Sequence, residues 1–189
     1  MLPVDVTRSL TAATQDLGRR ARQLRPDLPV TDQALQALMA GLTLRLYALM
    51  LQRAPQDAQV LLNARAFDTE VTLRCAGVSR GVSVVELAHA VVFTPDGHAL
   101  SDVFVEHVLN ADDASMLIAT SAQDPATDRL LQRAVRVLIR ATVLTAQGLS
   151  VQDADALAVQ EVLAEERGLF RVTEGERRPV VARSRKHRA

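Results

Sequence analysis

Val6, Leu10, Ala13, Leu17, Ala21 and Leu24 follow one another at spacings of 4, 3, 4, 4 and 3. At about 100° per residue these positions form one narrow apolar stripe, which predicts an amphipathic helix over residues 4–24. Arg25-Pro26 and Pro29 end it, because proline disfavours a helical residue before it and lacks an N–H. Thr31 reads as the N-cap of a second helix reaching about Arg53. There Leu35, Leu38, Met39, Leu42, Leu44, Leu46, Leu49, Met50 and Leu51 cover nearly every face, the pattern of a helix buried in a core. Asp32, Gln33, Gln36, Arg45 and Gln52 interrupt it too often for a membrane span, which needs ~20 apolar residues. Pro55 predicts a third, short helix running to about Ala66.

The period then changes. Val71, Leu73 and Cys75 alternate with Glu70, Thr72 and Arg74, so residues 67–75 read as a half-buried strand followed by a turn between Gly77 and Gly81. Two readings of Val82–Phe93 are open. Ser83 followed by Glu86 is a capping box and argues for a helix. The β-branched content and the turn Thr94-Pro95-Asp96-Gly97 argue, slightly more strongly, for a hairpin returning through Leu100, Val103, Phe104 and Val105. Asp124-Pro125 opens a helix whose periodicity continues to Leu144 and stops at Gly148. Ser150 with Asp153 opens another, ended by Gly168, and residues 169–181 read as a short hairpin. The expected fold is α+β, about half helix, with a small antiparallel sheet and a C-terminal β-hairpin. A single compact domain spans 1–182, made of N-terminal helices in 1–66, a central sheet in 67–107, and helices and hairpin in 110–182. A basic disordered tail, 183–189, follows.

Composition adds little to this picture until charge is divided by region. The 189 residues, 48% hydrophobic and 23% charged, suit an ordinary globular protein rather than a disordered or fibrous one. One cysteine permits no internal disulfide, and the N-terminus carries no basic n-region or apolar h-region, so a cytoplasmic protein without a signal peptide is expected. Of 22 basic residues, all but Lys186 are arginine, as in GC-rich bacterial genomes. The net charge of zero conceals a gradient. Residues 1–30 hold five Arg and three Asp; residues 31–166 hold nine Arg against seventeen acids; residues 167–189 hold seven Arg and one Lys against Glu174 and Glu176. The carboxyl end is thus a cationic appendage on a mildly acidic body.

Within the body, Arg129, Arg133, Arg136 and Arg140 fall at spacings of 4, 3 and 4, inside an arc of roughly 40° on one helix face. Like charges at these spacings destabilise a helix unless compensated. Phosphates would compensate them, each guanidinium offering a planar fork of donors. So would Asp153, Asp155, Glu161, Glu165 and Glu166 on the next helix, and both readings stand. The tail Arg183-Ser184-Arg185-Lys186-His187-Arg188 is a phosphate-contacting arm or, equally, a solubilising terminus.

Thr145-Ala146-Gln147-Gly148-Leu149-Ser150-Val151, the helix through Leu163, Gly168-Leu169-Phe170-Arg171-Val172 and the Arg177-Arg178 hairpin together resemble a winged helix-turn-helix over residues 135–182. The resemblance implies a glycine turn before a recognition helix, a Gly-Leu step into the wing, and wing arginines Arg171, Arg177 and Arg178 on DNA. Asp153 and Asp155 stand at the exposed start of that helix, so hairpin and tail would bind and the helix would act as scaffold.

No catalytic or metal site emerges. His89, His98, His107 and His187 show no metal-ligand spacing, and Asp102, Glu106 and His107 read as a solvated polar face. Asp112-Asp113 reads as a helix start, Cys75 as core, and phosphate-cradling glycine loops are absent. No enzyme, cofactor or metal is therefore expected. The leading expectation is a bacterial DNA-binding protein contacting nucleic acid through Arg129, Arg133, Arg136, Arg140, Arg171, Arg177, Arg178, Arg183, Arg185, Lys186 and Arg188. Duplex is favoured over single strands because aromatic residues are only 3% of the chain. The competing expectation is an assembly module, a homodimer joined through Val6, Leu10, Leu17 and Leu24; no membrane partner is expected.

Overall fold

The computed structural model describes residues 2–27, 30–93 and 125–168. Helix α1 spans Val4–Leu24 and α2 spans Asp32–Arg53, with the Thr31 hydroxyl accepting from the Ala34 N–H at 3.1 Å as its N-cap. Three antiparallel strands follow in the order β1 (Gln59–Arg65), β2 (Asp68–Cys75) and β3 (Val78–Ser83). Helix α3 spans Val84–Val92, α4 spans Pro125–Ala146 and α5 spans Val151–Glu166. The described residues form a helix-rich α+β fold with one small sheet.

Two expectations about the middle of the chain are corrected. Residues 59–65 are a strand rather than the end of a helix. Pro55 makes only a turn, its carbonyl accepting from the Ala58 N–H, after which all seven β1 residues pair with β2. Ladder pairing and the inward packing of Val60 and Leu62 override a helical reading that rested on Pro55 alone. The slight preference for a hairpin after Val82 is also overturned. The turn lies one step earlier, at Ala76-Gly77, where φ values of 49° and 79° make the two-residue connection that matches strand twist. Gly81 lies inside β3, opposite Thr72. Ser83 caps α3 by accepting from the Glu86 N–H at 3.1 Å, as the capping-box alternative required. The turn at Thr94–Gly97, the hairpin at 169–181 and the tail lie outside the described residues.

The core forms where α1, α2, α3 and the first half of α4 converge on the sheet. Leu10, Leu17, Leu35, Leu38, Leu42, Met50, Leu73 and Leu131 are fully buried there. The α1 stripe therefore faces its own chain, not a second copy. Val6, Leu10 and Leu17 keep 1–2% of their surface, and only Leu24, at 53%, stays outside. An amphipathic helix buries its stripe wherever an apolar surface is available, and α2 with the sheet supplies one. A buried hydrogen bond between the Ser9 and Thr69 hydroxyls fixes α1 on β2. Helix α2 is the expected core helix, with Leu35, Leu38, Met39, Leu42, Leu46, Leu49 and Met50 buried, while Leu44 and Leu51 on one face are 46% and 55% exposed. By length and composition α2 could cross a membrane, but 56% of its apolar window is buried within the chain.

Candidate functional site

The helical hairpin α4–α5 carries the charged residues singled out above. α4 ends in a Schellman turn. Gly148 adopts φ 101°, its N–H bonds the Thr145 carbonyl at 3.0 Å, and the Leu149 N–H reaches back to Leu144 at 3.2 Å. Only glycine takes that backbone without strain, so the position predicted to stop the helix also reverses the chain. Ser150 caps α5 by accepting from the Asp153 N–H at 3.2 Å. α5 returns antiparallel along α4, and its small residues Ala154 and Ala158 let it approach Ala141 and Leu144 closely.

That close approach brings the acidic face of α5 onto the arginine row. Arg133 forks onto Glu166, donating from Nε at 3.1 Å and from Nη2 at 2.7 Å. Arg136 donates to Glu165 at 2.5 Å and to Glu166 at 3.4 Å, and Arg140 donates to Glu161. The Arg133 hydrogen bond holds the Glu166 carboxyl below its ordinary pKa, and Glu166 in return raises that of Arg133. Of the two readings of the row, pairing within the chain is therefore the one observed for Arg133, Arg136 and Arg140, and their assignment as free phosphate contacts is corrected. The physical reason is that spacings of 3 and 4 set Arg133, Arg136 and Arg140 on one face of α4, where the antiparallel α5 presents Glu166, Glu165 and Glu161.

Arg129 is the exception. It is exposed, lies one turn beyond the Arg133–Glu166 pair, and has no hydrogen bond or ion pair among the described residues. It stands at the end of the hairpin where α5 finishes, at exposed Arg167. The remaining predicted contacts, Arg171, Arg177, Arg178, Arg183, Arg185, Lys186 and Arg188, lie outside the described residues.

Sequence reasoning missed the residue that ties α5 to the sheet. Arg80 points inward from β3, 13% exposed at its side chain, and pairs with Asp155 while donating to the Thr145 hydroxyl at 3.2 Å. Its neighbours Ser79 and Gly81 gave no alternating pattern to mark a strand, so its direction could not be read. Arg45 of α2 ties α4 to the core in the same way, donating to Asp128 at 2.8 Å and lowering that carboxyl's pKa through the hydrogen bond.

A separate cleft of about 380 Å³ lies between α1, α3 and the β1–β2 turn, lined by Asp16, Arg19, Phe67, Val85 and His89. Burial, then the nearby charge of Arg20, lowers the His89 pKa and favours the neutral ring, which stacks on Phe93 at 5.3 Å. Asp16 pairs with Arg19 at 3.3 Å rather than with the imidazole, so this constellation forms no acid–base pair. Cys75 sits half-buried at the end of β2, its thiol 3.9 Å from Asp57. Among the described residues no group of three His, Cys, Asp or Glu could hold a metal ion. No protein-family model, no curated protein and no solved structure matches the chain.

Proposed function

We propose that the protein is a non-enzymatic nucleic-acid-binding protein that contacts duplex DNA through its carboxyl-terminal basic segment. The contacts are Arg171, Arg177, Arg178, Arg183, Arg185, Lys186 and Arg188, continued onto the fold by Arg129 and Arg167. One observation carries this reading. The acids closest in sequence to the basic segment, Glu161, Glu165 and Glu166, are already engaged by Arg140, Arg136 and Arg133. Residues 169–189 hold six Arg and one Lys against two Glu, and that excess has no acid left on α5 to neutralise it except Asp153 near the far end. A concentrated positive charge at one end of a chain with zero net charge suits a polyanion, whose counterions are released on binding. The α4–α5 hairpin then acts as the rigid support from which the segment extends, in keeping with the wing of the resemblance noted above.

The test is fluorescence anisotropy of the full chain with labelled duplex and single-stranded DNA at low and physiological salt. Binding to duplex that weakens steeply with salt is expected. Absence of binding at low salt refutes the proposal.

A further inference from the structure

A second cavity, of about 290 Å³, lies where the carboxyl end of α2 meets the α4–α5 hairpin. Helix α4 contributes Arg136, Ile139, Arg140 and Val143, which share one helix face, so two cations and two aliphatic side chains line the same space. Helix α5 contributes Val162, 3% exposed, together with Glu161 and Glu165. Arg53, the last residue of α2, closes the third side. The charges around this cavity do not cancel. Arg45 pairs with Asp128, Arg133 with Glu166, Arg136 with Glu165 and Arg140 with Glu161, one carboxylate to each guanidinium. Arg53 has no carboxylate at ion-pair distance among the described residues. It donates from Nη2 to the neutral amide oxygen of Gln132 at 3.0 Å, and the nearby Asp128 is held by Arg45. Three guanidiniums against two carboxylates leave the lining one positive charge in excess. Arg140 reaches Glu161 through Nε, and its two terminal nitrogens have no acceptor among the described residues.

From this cavity we infer a binding site for a small aliphatic monocarboxylate. One negative charge cancels the excess, whereas a phosphate dianion would over-compensate it. The carboxylate head lies between Arg53 and the terminal fork of Arg140, because a guanidinium presents paired donors that match a carboxylate. The aliphatic chain packs on Ile139, Val143 and Val162, none of them aromatic. The volume stands at the lower limit of small-molecule pockets, so the chain is short. None of these residues is among the proposed DNA contacts, and the site does not depend on that reading.

Hexanoate is the probe, titrated to about 20 mM into the full chain at constant ionic strength and followed by the amide chemical shifts in NMR spectra. Saturable shifts at Arg53, Ile139, Arg140, Val143 and Val162 are expected, with a dissociation constant on the order of 0.1–1 mM. Hexanamide keeps the chain without the charge, and acetate keeps the charge without the chain. Each should bind roughly tenfold more weakly or worse. Arg53→Gln should weaken hexanoate roughly tenfold. Arg53 is exposed, so far-UV circular dichroism of this variant should stay native. Arg19→Gln, on α1, should leave the affinity unchanged. The two ligand comparisons need no variant and decide the matter even if Arg53→Gln fails to fold. Absence of saturable shifts, equal binding of hexanamide or acetate, an affinity unaffected by Arg53→Gln, or shifts confined to other surfaces each overturns the inference.

Discussion

Leu17→Ala separates a core role for α1 from an interface role. Leu17 retains 1% of its surface and sits among the buried residues of α1, α2 and the sheet. Truncation removes three buried carbons and leaves a cavity in the core cluster that also holds Leu38 and Leu42. Large-to-small substitutions at such sites cost about 2–5 kcal/mol, transfer and cavity terms together, so about 3 kcal/mol is expected here. For a chain of this size that lowers the melting temperature by roughly 6–12 °C. Leu24→Ala is the control. At 53% exposure its side chain already lies mostly in water, and a change within about 0.5 kcal/mol is expected. Urea denaturation followed by circular dichroism gives both values, and sedimentation run alongside gives the mass. If Leu17→Ala cost under about 1 kcal/mol while lowering the oligomer mass, the stripe would be an interface and the core reading of α1 would be wrong.

Three further outcomes follow from the structure. A Cβ on Gly81 would stand 1.9 Å from Glu70 Oε1, so Gly81→Ala should displace the Glu70 side chain and its ion pair with Arg65. A loss of about 1 kcal/mol is expected, and it should vanish in the Glu70→Ala background, measured as a double-mutant cycle. Ser9→Ala should cost about 1–2 kcal/mol by leaving the buried Thr69 hydroxyl without its partner, as read from urea midpoints. The lowered pKa of Glu166 stabilises the fold above its unfolded value, near 4.5, and that contribution disappears as pH falls through the lower folded value. Acid titration of the wild type should therefore show a loss of stability below about pH 4.5 that is reduced in Glu166→Gln. An identical profile in the variant would remove the Arg133–Glu166 pair from the acid response.

The helices were legible because each carried two signals that agreed. α2, α4 and α5 combine apolar periodicity with a cap or stop at Thr31, Gly148 and Ser150, and α1 has its stripe and the prolines after it. β1 and β3 were not legible. Gln59–Arg65 carries no clear alternation, and Ser79-Arg80-Gly81 interrupts β3 with a charge and a glycine, so both depend on pairing with β2 for their form. The arginine row was visible as a row, and its acidic partner helix was visible as one of two ways to satisfy it. Arg80–Asp155 was not visible, since the two residues are 75 apart and the pair depends on β3 facing inward. The α1 stripe led to the wrong surface for a different reason. A narrow apolar stripe looks the same whether its partner is the chain's own sheet or another molecule.

The central claim is that the carboxyl-terminal basic segment, and not the arginine row of α4, contacts nucleic acid. The most direct test compares the salt dependence of duplex binding for the full chain, for Arg177→Gln/Arg178→Gln/Arg185→Gln, and for Arg136→Gln. The triple variant should lower the log–log slope by about 3, one for each phosphate contact removed. Arg136→Gln should leave that slope unchanged and destabilise the α4–α5 hairpin instead. An unchanged slope in the triple variant, or a slope lowered by Arg136→Gln, would contradict the account.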